Sequence, residues 1–131
     1  MEKKEKKTEQ EWKSCLTSDQ FMVCRKKGTE RPFTGPWLDE KRPGIFVCTC
    51  CGHPLFKTAG KFDSGTGWPS FFEPYSPESL ATEADNSHFM RRVEVLCARC
   101  DAHLGHLFDD GPAPTGLRYC INGIALEFKP Q

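Results

Sequence analysis

A mainly β fold built around a cage of cysteines is what this chain predicts, on three observations. Two Cys-x-x-Cys pairs, Cys48/Cys51 and Cys97/Cys100, each follow a run of β-branched and aromatic residues. No stretch carries the sustained 3.6-residue apolar period of a long amphipathic helix. Eleven glycines and ten prolines cut the remainder into short segments. A length of 131 residues suits one compact domain.

Taken in order, residues 1–13 are highly charged and lack an apolar face, so they read as a flexible charged tail ahead of a domain at 14–131. Within 14–27, Thr17-Ser18-Asp19 precedes Gln20-Phe21-Met22-Val23, a capping signal for a short helix that leads into an extended piece. Breakers at Pro32, Gly35, Pro36, Pro43 and Gly44 make 28–44 a long loop, with Phe33 and Trp37 as buried anchors. Ile45-Phe46-Val47 enters the first cysteine turn and Pro54-Leu55-Phe56-Lys57 leaves it, as in a hairpin. Residues 62–72 are rich in glycine and aromatics, and 75–86 have turn chemistry with one helical turn. A second hairpin repeats the first, from Phe89 through Leu96 into Cys97 and out from Ala102 to Phe108. A Pro/Gly loop at 109–116 leads to a last strand region at 117–128, bent at Gly123.

Eighteen basic and eighteen acidic residues cancel, which removes the global field that draws proteins to nucleic acid or anionic membrane. Nothing approaches an apolar membrane span or a signal sequence, so the expected setting is a reducing compartment, cytoplasmic by default. The eight cysteines are too unevenly spaced for a secreted disulfide framework.

Cys48, Cys51, Cys97 and Cys100 have the spacing of a structural zinc site, each turn presenting two thiolates to one ion. Gly52 supplies the positive φ such a turn needs, and Asp101 at the matching place tolerates it. The competing reading is a pair of redox-active dithiols, but neither pair sits in a βαβ setting. Cys50 is an extra loop thiol.

The segment Arg118-Tyr119-Cys120-Ile121-Asn122 alternates, placing Arg118, Cys120 and Asn122 on one strand face and the apolar residues on the other. An adjacent guanidinium favours thiolate, so Cys120 is either a nucleophile or a buried structural thiol. His103 and His106, separated by Leu104-Gly105, are candidates to move protons in the same cleft; core histidines or a metal pair are the alternatives. Trp68 and Phe71, in Gly-Trp-Pro-Ser-Phe, either line a pocket for a small apolar group or fill the core.

Together these motifs resemble one family. Gly-Thr-Glu at 28–30, Pro-Phe-Thr-Gly at 32–35, Lys-Phe-Asp-Ser-Gly at 61–65, Gly-Trp-Pro-Ser-Phe at 67–71, His-Leu-Gly-His at 103–106, Asp-Asp-Gly-Pro at 109–112 and Arg-Tyr-Cys-Ile-Asn at 118–122 are similar to the methionine-R-sulfoxide reductases, the B type. The resemblance implies two small antiparallel sheets, tent- or barrel-like, with short N-terminal helical segments and a single zinc away from the chemistry. It implies that Cys120 attacks the sulfoxide sulfur of an oxidised protein or peptide, that His103 and His106 deliver a proton, that Trp68 holds the substrate methyl group, and that Arg118 and Asn122 support thiolate and substrate. It also implies repair of oxidised proteins with electrons from thioredoxin, glutaredoxin or a similar thiol, and nothing in the sequence suggests more than a monomer.

One departure matters. Many relatives carry a resolving cysteine just before Gly-Trp-Pro, where this chain has Thr66. The Cys120 sulfenic acid is then reduced either by an external thiol or by another cysteine, with Cys24 preferred over Cys15 and Cys50. A zinc-ribbon binding module would explain the cysteine pairs but not Cys120 or the histidines. A zinc hydrolase using His103 and His106 would lack an open position on the fully occupied cage.

Overall fold

Thr8 and Thr17 each start a short helix in the computed structural model, which describes residues 7–86 and 90–131. Each hydroxyl accepts from the backbone N–H three positions on, at Glu11 and Gln20, whose side chains return to the cap's own N–H. These caps open α1 (Glu9–Cys15) and α2 (Ser18–Lys26). The first helix corrects the expectation of a solvated stretch through residue 13. A single aromatic suffices: Trp12 is 3% exposed, with the Arg25 guanidinium 3.8 Å over its ring. Positions 1–6 of the expected tail, and Phe89 at the expected start of a strand, lie outside the described residues. The second helix continues to Lys26 with no extended piece and ends at Lys27 in the left-handed region, φ 59°.

Two antiparallel sheets follow, in agreement with the mainly β expectation. The smaller joins β1 (Gly44–Cys48), β2 (Pro54–Lys57) and β9 (Leu126–Pro130) in the order β2-β1-β9. The larger is built from β3 (Lys61–Phe62), β4 (Ser70–Phe71), β5 (Leu80–Asp85), β6 (Arg92–Cys97), β7 (His103–Phe108) and β8 (Arg118–Ile121), ordered β3-β4-β8-β7-β6-β5. Strand β5 replaces the turn and helical turn read at 75–86. Its alanines and glutamate are weak strand formers, and it extends because every residue from Leu80 to Asp85 pairs with β6.

The sheets meet through aromatic rings. Phe71 of β4 stacks on Phe56 of β2 at 4.2 Å and meets Phe46 of β1 edge-on at 5.3 Å. The final strand region divides at Gly123: a 3₁₀ turn over Gly123–Ala125 carries the chain from β8 in one sheet to β9 in the other. In the long loop, Trp37 is an anchor, half-buried and donating from Nε1 to the Leu126 carbonyl at 2.9 Å. Phe33 is not: it is 69% exposed. No helix among the described residues is long and apolar enough to cross a membrane.

Candidate active site and metal cage

Strand register assembles the site. Ser70 of β4 pairs with Cys120 of β8, Cys120 with His106 of β7, and His106 with Glu94 of β6. Residues directly opposite in antiparallel strands share a face, so a hydroxyl, a thiol, an imidazole and a carboxylate lie in one row across four strands. His103 joins them through a bulge. Val95 pairs with Gly105 but Leu96 pairs with His103, leaving Leu104 as the extra residue. Without it, histidines three apart would face opposite sides; with it, their rings stand 5.4 Å apart, edge to face. Gly105 permits the close approach of β8, since a Cβ there would run into the Cys120 carbonyl oxygen.

The two histidines have different surroundings. His106 Nε2 is 2.8 Å from Asp85 Oδ2, which also faces Arg92 at 3.5 Å. His103 is buried, with Nδ1 2.8 Å from Glu94 Oε2, and Lys27 reaches the other Glu94 oxygen at 3.2 Å. Burial holds the His103 pKa below its ordinary value, against the opposing pull of Glu94, and keeps the ring neutral at pH 7. Only His106 reaches the hollow beside Cys120, a cavity of about 100 Å³ whose lining also includes Trp68, Asn122, Phe108, Arg92 and Thr29.

Glu30 ties two of these walls together. Its backbone N–H donates to Asn122 Oδ1 at 3.0 Å, its carbonyl accepts from Trp68 Nε1 at 3.0 Å, and its carboxylate accepts from the Ile124 N–H at 2.9 Å. Asn122 also donates to the Leu104 carbonyl at 3.0 Å. Phe71, read as either pocket or core, is core: it is fully buried between Phe46 and Phe56 and does not line the hollow. Sequence reasoning met Glu30 only as part of the Gly-Thr-Glu motif, without a role, and passed over Asp85, Arg92, Glu94 and Phe108 as site residues. For Glu94 there was a signal, a lone acid between Val93 and Val95 in a strand.

Cys120 is half-buried, and burial pushes its thiol above the ordinary range while the Thr66 hydroxyl and the Arg118 guanidinium pull the other way. The arginine favours the thiolate as its charge requires, but burial outweighs it and leaves the resting thiol harder to ionise than an ordinary one. Arg118 is itself engaged, bonded to both Asp110 carboxylate oxygens at 2.8 and 3.1 Å and lying 4.3 Å over the Phe108 ring. Thr66 Oγ1 is 3.8 Å from Cys120 Sγ and is held by Ser64, which also bonds Ser70. Cys24 sits elsewhere, buried on α2 where its neighbours are Cys50 and Cys100. Cys15 is exposed at the end of α1, and Cys50 is half-buried in the first cysteine turn.

The hairpins β1–β2 and β6–β7 bring their turns together despite the long separation in sequence. The sulfurs of Cys48, Cys51, Cys97 and Cys100 all lie within 4.8 Å of one another. Cys48 and Cys100 are 3.7 Å apart and Cys51 and Cys97 3.6 Å, close to the edge of about 3.8 Å of a sulfur tetrahedron around a zinc-sized ion. Gly52 and Asp101 both adopt positive φ, 78° and 61°, as the turns require. Cys48 and the neighbouring thiols draw the Cys100 pKa far down, and Arg25 donates to its sulfur at 3.0 Å. Such a donor set can hold one metal ion.

Comparison with known proteins agrees with the site. The SelR domain matches residues 16–130. A protein of Hahella chejuensis named peptide methionine sulfoxide reductase MsrB is 58% identical over 125 residues, covering 95% of this chain and 90% of the relative. The protein of the same name from Pseudomonas putida strain GB-1 is 57% identical over 129 residues, 98% of either chain. The one from Saccharophagus degradans is 52% identical over 126 residues, 96% of this chain and 94% of its own. With the fold, the row of reactive side chains and these likenesses in agreement, the chain belongs to the SelR domain family, that of the MsrB peptide methionine sulfoxide reductases.

Proposed function

We propose that this protein reduces the R epimer of methionine sulfoxide in oxidised proteins and peptides, with Cys120 as the nucleophile. The observation that carries the reading is the row Ser70–Cys120–His106–Glu94 beside a small hollow walled by Trp68. His106 takes the thiol proton, and the Cys120 sulfur attacks the sulfoxide sulfur. The S–O bond breaks as the oxygen passes to Cys120 with that proton, so methionine leaves and a sulfenic acid remains. Asp85 holds the His106 ring in place at 2.8 Å, while His103, neutral and fixed by Glu94, packs against it. Trp68 holds the methyl group and Asn122 the polar side of the substrate, so only one epimer presents its sulfur to Cys120.

Regeneration consumes two thiol equivalents. The first forms a mixed disulfide with Cys120 and releases water, and the second frees Cys120. Because Thr66 stands over Cys120 and Cys24 packs against Cys50, the reductant is an external thiol such as thioredoxin or glutaredoxin. The four-cysteine cage holds one zinc ion, which ties the two hairpins together and takes no part in the chemistry. The protein acts as a monomer in a reducing compartment such as the cytoplasm.

The test is separation of R and S methionine sulfoxide products with dithiothreitol as reductant. Wild type consumes the R epimer, and Cys120→Ser consumes neither while keeping metal and fold. Consumption of the S epimer, or full activity in Cys120→Ser, would reject the proposal.

A further inference from the structure

We infer that the surface beyond Trp68 is a groove for the polypeptide flanking the oxidised methionine, with Phe33 as its aromatic contact, an inference that rests on the function proposed above. The hollow at Cys120, about 100 Å³, has room for the end of one side chain and not for the backbone that bears it. Trp68 is shared with a second hollow of about 620 Å³ that Phe33, Leu38, Phe62 and Lys61 also line. Phe33 is shared in turn with a shallower hollow of about 420 Å³ along residues 35–40. The surface is thus continuous from the reactive sulfur past two aromatic side chains.

Phe33 is unusual on two independent counts. It exposes most of a large apolar ring, and its φ of 66° is left-handed, a strained conformation for a residue with a Cβ. Neither feature helps the core. Its N–H donates to the Gly67 carbonyl at 2.7 Å, so the loop that carries Trp68 also holds this ring outward. Strain and apolar exposure held at one residue beside a reactive site are features of a binding surface.

An extended polypeptide suits the shape. The two hollows share Phe33, Leu38, Asp39 and Glu40, so they adjoin along one surface long enough for the side chains of an extended segment. Charge does not select the occupant: Asp39, Glu40 and Asp63 are offset by Lys41 and Lys61, Glu40 is bonded to Arg42, and Lys61 donates to the Leu38 carbonyl. Charged and hydroxyl groups make up much of the lining, so Phe33 and Trp68 are the apolar contacts it offers to an aliphatic or aromatic neighbour of the methionine sulfoxide.

Steady-state kinetics with dithiothreitol as reductant test this, comparing N-acetyl-methionine-R-sulfoxide methylamide with a short peptide that places methionine-R-sulfoxide between leucine and phenylalanine. Phe33→Asn removes the ring at a residue type that tolerates positive φ, and Phe33→Tyr keeps the ring. In Phe33→Asn we expect kcat/KM for the peptide to fall about tenfold through KM, with the blocked amino acid unchanged. Phe33→Tyr should behave as wild type. Equal effects of Phe33→Asn on both substrates, or none on either, would overturn the inference. So would a loss that appears only when thioredoxin replaces dithiothreitol, which would assign the surface to the protein reductant. If wild type reduced neither substrate, the function proposed above would fail, a result distinct from an active enzyme indifferent to Phe33.

Discussion

Cys120 lies between two opposing influences, and their balance is open to measurement. Burial raises its pKa, and the Thr66 hydroxyl and the Arg118 guanidinium lower it, while Asp110 neutralises part of that guanidinium. Alkylation of Cys120 should accelerate towards alkaline pH with a midpoint above that of an ordinary thiol. Arg118→Ala should move the midpoint higher and Asp110→Asn lower, because the first removes the cation and the second releases it. An unchanged midpoint in both would show that the arginine charge does not reach the sulfur. Thr66 makes a second prediction at this scale. Its hydroxyl stands 3.8 Å from the thiol, so Thr66→Cys should place a second sulfur within bonding reach after modest adjustment. One turnover without added thiol should then leave a disulfide between positions 66 and 120, detected by mass spectrometry, where wild type leaves a sulfenic acid. These contacts were only partly legible in the sequence. Alternation put Cys120 and Arg118 on one face, but the pairing of Arg118 with Asp110 depends on how the 109–116 loop folds back.

Strand β7 and the cysteine turns show what individual elements contribute. The bulge at Leu104 brings both histidines to one face, and it buries His103 as a neutral ring. The folded His103 therefore binds its proton more weakly than the unfolded chain does, so stability falls as pH drops below about 6.5 and the loss is complete below the lowered folded value. Thermal unfolding between pH 7.5 and about pH 5 should show this slope, and His103→Asn should flatten it whatever its absolute stability. At the first cysteine turn, Gly52 has φ 78° and nothing within 4 Å of where a Cβ would sit. Gly52→Ala therefore pays only the backbone term, about 1 kcal/mol, and should lower the melting temperature by a few degrees. The sequence anticipated these turns because positive φ leaves a local trace in residue type. It did not anticipate β5 or α1, since Leu80–Asp85 extends only by pairing with β6, and Glu9–Cys15 has Trp12 as its one buried side chain beyond the Thr8–Glu11 capping box.

At the scale of the whole molecule, two sheets share an aromatic core and two hairpins share one cage. A metal ion held there would cross-link Cys48/Cys51 to Cys97/Cys100, turns that otherwise meet through thiol contacts and the Arg99 bond to the Cys51 carbonyl at 3.4 Å. Treatment with a strong chelator, or Cys97→Ser, should lower the melting temperature by at least about 10 °C, as followed by circular dichroism. A melting curve insensitive to both would argue against a structural ion. The sequence by itself determined what local chemistry can encode: short strands from their residue types, the cysteine turns from spacing, and a thiol between an arginine and an amide. Tertiary structure alone decided that Ser70, Cys120, His106 and Glu94 form one row, that Phe71 belongs to the core, that Phe33 faces outward and that Cys24 packs against the cage. The reason is physical: alternation fixes which residues share a face of one strand, but the register between strands depends on partners distant in sequence, and register decides which reactive groups meet.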